Sequence, residues 1–147
     1  MRTQTAQTDL VVHDAAQRPR LLVEVKRRGT VSPAEAASLR AFYLDRVGVR
    51  APFLLVTLAA ISLWPASAPA DAEPEFAFDA REELAPYFAG LGAAPHEIEP
   101  GAFEMLVFSW LSDLAEGKLS QSPVGQALTR LDRDLWREGQ VDWGDAA

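Results

Sequence analysis

Three ionisable residues near the start of the chain stand in otherwise apolar segments. Asp9 precedes the run Leu-Val-Val, and Glu24 and Lys26 flank a valine at the end of a second run, in "RLLVEVK". If these runs form an antiparallel hairpin with its turn centred near Ala16 and Gln17, the numbers of opposed residues sum to about 33. Asp9 then faces Glu24, and Lys26 lies on the same face because side chains alternate along a strand.

This pair of carboxylates predicts a site for a hard divalent cation. Like charges opposed across a ladder are destabilising, and carboxylates removed from water resist ionisation, so the pair favours a bound cation. One or two carboxylates, completed by water and substrate phosphate, are typical of Mg²⁺ sites. The Lys26 ammonium is placed to orient water or to stabilise the charge of a pentavalent phosphate. These residues therefore favour hydrolysis of a phosphodiester.

The two apolar runs have the composition of β-strands. Residues 10–12 and 21–25 are rich in aliphatic and β-branched side chains, and the turn-prone residues Asp14 and Pro19 lie between them. Alternation places the remaining strand side chains on the opposite face of the hairpin. That face is entirely apolar and consists of Leu10, Val12, Leu21, Val23 and Val25.

A helix and a further strand follow the hairpin. Ser32-Pro33-Ala34-Glu35 is a capping box with proline at the first helical position, and Gly48 stands where a C-terminal cap belongs, which predicts a helix over about 32–47. A right-handed crossover then places a strand at 53–57 parallel to the strand of Glu24. The apolar stripe of the helix contains Leu39, Phe42, Tyr43 and Val47, and its polar side contains Arg40 and Arg46.

Residues 51–70 form a run of twenty residues without a charge, which is long enough for a membrane span. Three prolines border or interrupt the run, and its middle separates into strand-like pieces at 53–57 and 61–64. We therefore predict buried strands instead of a membrane helix. The first residues also lack the apolar region of a signal peptide, so the predicted location is the cytoplasm.

The remaining sequence, residues 75–140, is predicted to be mostly helical. Apolar residues recur at helical spacing in two stretches, Phe103, Leu106, Val107, Trp110, Leu111 and Leu114 in one, and Val124, Leu128, Leu131 and Leu135 in the other. A chain of 147 residues with 48% hydrophobic content and no cysteine predicts one domain, 1–147, without disulfides or thiolate chemistry. The predicted fold class is α/β. It comprises a mixed β-sheet with the acid-bearing β-hairpin, a βαβ crossover helix within 1–70, and a C-terminal helical segment packed on the sheet.

Positive charge is concentrated in the half of the chain that contains the hairpin. Residues 1–50 hold nine Lys or Arg against five Asp or Glu, whereas residues 51–147 hold five against sixteen. Nucleic acid is the partner class that this distribution favours, and Arg27, Arg28 and Arg40 are candidates for contact with its phosphate backbone. The alternative is a solvated basic surface, and a pI near 4.8 argues against strong non-specific binding to DNA.

Together these elements resemble those of a known protein superfamily. Thr8-Asp9, fourteen intervening residues and Glu24-Val25-Lys26, followed by a helix and another apolar strand, resemble the PD-(D/E)XK, or restriction-endonuclease-like, nuclease superfamily over about residues 8–64. The resemblance implies that Asp9 and Glu24 ligate Mg²⁺, with Mn²⁺ as a substitute, together with the backbone carbonyl of Val25. It also implies that Lys26 is the catalytic lysine of an endonuclease that acts on DNA, or alternatively on RNA.

The superfamily core has a helix and a strand before the motif's aspartate, whereas eight residues precede Asp9 here. We therefore expect a homodimer partner or another subunit to complete the core. Two alternatives to an active nuclease remain open. One is a catalytically silent or partner-dependent interaction subunit with the nuclease fold, and the other is a structural protein in which Asp9, Glu24 and Lys26 form a buried ion network. Nuclease activity requires both carboxylates to converge in an open cleft with Lys26 directed into it.

Overall fold

The computed structural model describes residues 9–119, 121–136 and 139–143, in which a six-stranded mixed sheet has helices on both faces. Thr8 and the side chain of Val47 lie outside the described set. The strands are β1 (Leu10–His13), β2 (Pro19–Val25), β3 (Phe53–Val56), β4 (Ala60–Trp64), β5 (Phe76–Asp79) and β6 (Gln140–Trp143). The helices are α1 (Pro33–Val47), α2 (Ala80–Leu91), α3 (Pro100–Ala115) and α4 (Pro123–Leu131), with a 3₁₀ turn at Pro95–Glu97.

The β1–β2 hairpin has the predicted register. Val11 is opposite Leu22 in an antiparallel ladder, and the register shifts only after Val12. The turn forms because the Asp14 side chain accepts hydrogen bonds from two backbone N–H groups, those of Ala16 and Arg18, each at 2.9 Å. Side chains that alternate in this register divide the hairpin between two cores on opposite faces of the sheet.

The crossover helix α1 also forms as predicted. The Ser32 hydroxyl accepts a hydrogen bond from the N–H of Glu35 at 3.1 Å, and the Glu35 carboxylate accepts one from the N–H of Ser32 at 3.2 Å. Gly48 ends the helix in the left-handed conformation, with φ of 68°. After α1, β3 pairs in parallel with β2, and Glu24 is opposite Leu55. The sheet order is β5-β4-β3-β2-β1-β6, and β2–β3 is its parallel pair among the described strands.

The two faces of the sheet are covered by different helices. The smaller core lies beneath α1 and contains Val11, Leu22, Phe53, Leu55 and Trp64. The larger core lies on the other face, where α2, α3 and α4 bury large side chains against the strands, among them Phe103, Trp110 and Leu128. The C-terminal helical segment therefore packs on the sheet, and the molecule has the predicted α/β class.

Residues 51–70 form β3, β4 and the loop that follows them. In the described ranges, none of the helices has the length and apolar character needed to cross a bilayer. The uncharged run is apolar because both faces of β3 and β4 are buried.

β5 lies in sequence predicted to be mostly helical, and β6 begins at the last residue of that sequence. β6 pairs antiparallel with β1, so that Leu10 is opposite Trp143 and Val11 is opposite Asp142. The Trp143 ring stacks on Phe108 of α3 with centroids 4.9 Å apart. This C-terminal strand forms the edge of the sheet next to β1.

The predicted position of Arg40 on the polar side of the helix is wrong. Arg40 is 0% exposed, and its guanidinium donates hydrogen bonds to the carbonyls of Pro69 at 2.7 Å and Ala68 at 3.0 Å. It also lies 5.7 Å from the centroid of the Trp64 ring. Arg40 is buried because the loop after β4 folds over α1 with carbonyls that need donors. Its guanidinium is therefore engaged inside the protein and does not form part of a surface that contacts nucleic acid.

We predict that Arg40→Met lowers the free energy of unfolding by about 1–3 kcal/mol, because it removes the guanidinium donor of the Pro69 carbonyl and one of the two guanidinium donors of the Ala68 carbonyl. The matched control is Arg50→Met, since Arg50 is exposed and donates to Ala66 and Ala68 at 3.5 and 3.2 Å. Its loss is expected to cost less than about 1 kcal/mol. Urea denaturation measures both variants, and equal midpoints would contradict the assigned role of Arg40.

Candidate active site

The candidate site lies at one end of the central strands. β2 and β3 are parallel and end at the same edge of the sheet, and β1 begins at that edge because it runs antiparallel to β2. Asp9 directly precedes β1, Glu24 is the penultimate residue of β2, and Lys26 directly follows β2. The fold therefore brings the three predicted residues to one edge although Asp9 is fifteen positions from Glu24 in the sequence.

Asp9 is tied to the opposite strand by a hydrogen bond. Its Oδ2 accepts the backbone N–H of Val25 at 2.8 Å. The Val25 side chain points to the other face and belongs to the larger core. This bond fixes the Asp9 carboxyl at the end of β2, close enough for it to raise the pKa of Glu24.

Glu24 is enclosed beneath α1. It is 1% exposed, and neither of its carboxyl oxygens has a hydrogen-bond partner among the described residues. Burial raises its pKa to about 9, and the neighbouring Asp9 carboxyl acts in the same direction, against smaller opposing effects of Tyr43 and Lys26. Asp9 and Tyr43 thus shift the pKa of Glu24, although neither residue has hydrogen-bonding geometry with its carboxyl oxygens. Glu24 is consequently protonated at neutral pH, and the open cleft expected around the two acids is absent at Glu24.

Lys26 is held by Tyr43 of α1. The Lys26 ammonium donates a hydrogen bond to the Tyr43 hydroxyl, with Nζ and Oη 3.1 Å apart, and lies 5.5 Å from the centroid of the Tyr43 ring. Burial lowers the pKa of Lys26, but the Tyr43 hydroxyl and the carboxyl groups of Glu24 and Asp9 outweigh it, so the pKa is raised overall. Lys26 therefore remains charged beside a neutral Glu24.

Tyr43 is the site residue that sequence reasoning missed. It was assigned to the apolar stripe of α1, and its ring does pack against Phe53, with centroids 6.4 Å apart. Its hydroxyl, however, reaches the end of β2, where burial and then Glu24 raise the pKa of the phenol. The available signal was that Tyr43 carries a polar atom in a stripe otherwise made of Leu39, Phe42 and Val47.

The two arginines after Lys26 have different environments. Arg27 donates hydrogen bonds to the carbonyls of Ile98 and His96, the latter at 2.7 Å, and so ties the end of β2 to the 3₁₀ turn. Arg28 pairs with Glu35 at 3.1 Å, and both side chains are 51% exposed. Arg28 presents the more accessible charge next to the site, and contact of either residue with nucleic acid stays a prediction.

The set of donor side chains limits which group this site can hold. In the described ranges, no three His, Cys, Asp or Glu side chains gather in a way that could hold a metal ion. A cation here would have two carboxylates, so carbonyl and water oxygens would supply the other ligands, as Mg²⁺ tolerates.

No family model, curated protein or solved structure matches the chain. The resemblance to the nuclease superfamily therefore rests on the sequence motif alone and stays a prediction.

We predict that wild-type stability falls as pH rises because of Glu24. Its pKa is about 9 in the folded protein against 4.5 normally, so the folded state binds a proton that the unfolded chain releases between these values. Stability is therefore fully present below about pH 4.5 and is lost towards pH 9. Glu24→Gln cannot ionise, and between pH 5 and 7 we expect it to gain about 3 kcal/mol relative to wild type.

Urea denaturation at several pH values between 5 and 8 measures this difference. The matched control is Glu75→Gln, since Glu75 is an exposed glutamate just before β5, and it is expected to keep the wild-type pH dependence. If Glu24→Gln and the wild type lose stability in parallel across this range, Glu24 is ionised in the folded protein.

Proposed function

We propose that this protein is a divalent-metal-dependent endonuclease that hydrolyses phosphodiester bonds of DNA, or alternatively of RNA. The observation that carries the proposal is the Glu24 carboxyl, which is buried without a hydrogen-bond partner among the described residues and lies beside a second acid. Buried polar groups in native proteins are nearly always satisfied. An unsatisfied carboxyl next to Asp9 therefore supports a cation as the missing partner.

The residues present fit a hard cation. Asp9 and Glu24 would supply carboxylate oxygens from adjacent strands, and the backbone carbonyl of Val25, between Glu24 and Lys26, would supply a third oxygen. Mg²⁺ is held in this way by few protein oxygens plus water, and Mn²⁺ accepts the same ligands. The chemistry that such an ion supplies when bound is polarisation of the phosphate and a lower pKa for water.

In this proposal, residues of the chain orient a cation ligand, release a proton and stabilise charge on the phosphate. The N–H of Val25 fixes the orientation of the Asp9 carboxylate. Glu24 must release its proton before it can bind a cation, because its carboxyl is neutral at pH 7. The Lys26 ammonium stabilises negative charge that develops on the phosphate, and Tyr43 acts as a positioning residue because its hydroxyl holds Nζ at 3.1 Å.

A second candidate function is a catalytically silent or partner-dependent subunit with the nuclease fold. The observation that favours it is the 1% exposure of Glu24 beneath α1, since a substrate phosphate must reach the metal ligands. In this alternative, the acids and Lys26 form a network that stabilises the junction of β2 with α1, or that a partner opens. Metal binding by the isolated chain separates the two candidates.

We predict that the wild-type protein cleaves plasmid DNA, single-stranded DNA or RNA in Mg²⁺ or Mn²⁺, and that Glu24→Gln and Lys26→Ala each lower the rate by at least about 100-fold. The matched controls are Glu75→Gln and Lys118→Ala, since both residues are exposed and lie outside the site. Their rates should equal that of wild type. Cleavage that persists in both site variants would assign the activity to a contaminant or to another site.

We also predict that Mn²⁺ binds with the release of about one proton at pH 7, because the neutral Glu24 must ionise. Isothermal titration calorimetry in buffers of different ionisation enthalpy measures this release. Asp9→Asn should abolish binding, whereas Glu75→Gln should not change it. A wild-type protein that binds no Mn²⁺ would support the silent or partner-dependent subunit.

A further inference from the structure

Phe42 presents an exposed aromatic ring beside the candidate site. The residue is 46% exposed, whereas its neighbour Tyr43 is half-buried over Lys26. The rings of Phe42 and Tyr43 meet edge to face with centroids 5.1 Å apart, and Tyr43 packs in turn on Phe53 of β3. Phe42 is therefore the solvent end of an aromatic row that is anchored in the sheet.

This exposure distinguishes Phe42 from the other apolar residues near the site. The remaining exposed large hydrophobic residues of the described part of the chain are Leu91 and Met105. They lie at the end of α2 and in α3, which cover the opposite face of the sheet. An exposed phenyl ring costs hydration free energy, and a ligand that stacks on it would recover that cost.

A shallow depression of about 480 Å³ lies on the surface of α1 next to Phe42. Its lining includes Arg28, Glu35, Ser38, Leu39 and Phe42. Glu35, Leu39, Phe42 and Arg46 follow one another at intervals of three or four positions, so they form one stripe on the helix surface. From Glu35 to Arg46 this stripe extends about 16 Å, which is several times the 3.4 Å between successive stacked bases.

Guanidinium groups lie at both ends of the stripe. At one end, Arg28 makes an ion pair with Glu35 that is open to solvent and therefore weak. At the other end, the Arg46 guanidinium lies 3.6 Å from the centroid of the Phe42 ring and donates a hydrogen bond to the Phe42 carbonyl at 3.1 Å. The Arg46 guanidinium therefore covers one face of the Phe42 ring, and the surface offers the remaining exposed part of that ring together with two cations that can bind phosphate.

From this arrangement we propose that the outer stripe of α1 binds unpaired bases of a single-stranded nucleic acid, with a base on the exposed part of Phe42 and phosphates of the same strand on Arg28 and Arg46. The inference rests on the proposed function and specifies its substrate class. Through Tyr43, the stripe adjoins Lys26, so a strand bound there leads towards the candidate site.

The chemistry favours an unpaired strand over a duplex. A side-chain ring stacks on a base only where the face of that base is free, as in single strands, loops and ends. Duplex binding depends mainly on neutralising many phosphates, but the chain has a net charge of −7 and offers few cations here. Stacking contributes about 1–3 kcal/mol per base and needs no large positive surface.

The test measures binding of the full chain in EDTA, where cleavage does not interfere. Fluorescence anisotropy is recorded with labelled oligo-dT and oligo-rU of about 15 nucleotides and with a duplex of equal length. We expect single strands to bind more tightly than the duplex, and Phe42→Ala to weaken that binding at least about fivefold. Phe42→Trp should retain binding, and the matched control Leu91→Ala should equal wild type.

The contribution of Arg28 and Arg46 to binding is measured from its salt dependence. Removal of one phosphate contact by Arg28→Gln or Arg46→Gln should reduce the slope of log affinity against log salt by about 0.7 for a single strand. Circular dichroism and urea midpoints show whether each variant folds, and Phe42→Trp keeps the test decisive if Phe42→Ala is unstable.

The inference is overturned if the wild type binds no single strand, if it prefers the duplex, or if Phe42→Ala binds as tightly as wild type. These outcomes are distinct from failure of the nuclease proposal. Cleavage that depends on Glu24, with binding that is independent of Phe42, refutes this inference alone. Binding that depends on Phe42, in a chain that cleaves nothing with Mg²⁺ or Mn²⁺, refutes the nuclease alone.

Discussion

The geometry of the candidate site depends on one hydrogen bond, from the N–H of Val25 to the Asp9 carboxylate. It joins the start of β1 to the end of β2 and so fixes the register in which Asp9 is placed beside Glu24. A slip of one residue would move every side chain of β1 to the other face, so that it would bury a carboxyl in the larger core and move Leu10 and Val12 out of that core. The apolar face of the hairpin and the acid pair therefore support the same register. A single side chain thus contributes both to the register of the hairpin and to the geometry of the candidate site.

The sequence predicted those elements of the fold whose ends and turns are set by residues only a few positions apart. The Asp14 turn sets the hairpin, and Ser32, Glu35 and Gly48 set the ends of α1, because each acts on backbone groups within a few residues. The parallel pairing of β3 with β2 followed from the crossover rule. β6 could not be predicted in this way, since its strand of four residues is stabilised by pairing with β1 about 130 positions earlier. The burial of Arg40 likewise depends on carbonyls of a loop that lies far from it in the sequence.

The candidate site shows the same division between local pattern and tertiary packing. Alternation along β2 placed Glu24 and Lys26 on one face with Asp9, and the structure brings all three to one edge. The alternation of side chains along a strand does not predict how closely a helix covers that face. In the structure, α1 leaves Glu24 only 1% exposed. The position of the Tyr43 hydroxyl was unpredictable for the same reason. A protonated carboxyl without a partner destabilises the fold, and such a cost is retained in proteins chiefly at functional sites.

Helix α1 connects the two surfaces that the proposals concern. Tyr43 and Phe42 are consecutive, and successive residues of a helix differ in direction by about 100°. Tyr43 therefore points towards Lys26 while Phe42 points to solvent, and edge-to-face contact couples the two rings. A ligand that stacks on Phe42 would bear on the same helix turn that covers Glu24. Under the proposed function, a ligand on the outer stripe would therefore contact, through the edge-to-face pair of Phe42 and Tyr43, the helix that encloses Glu24.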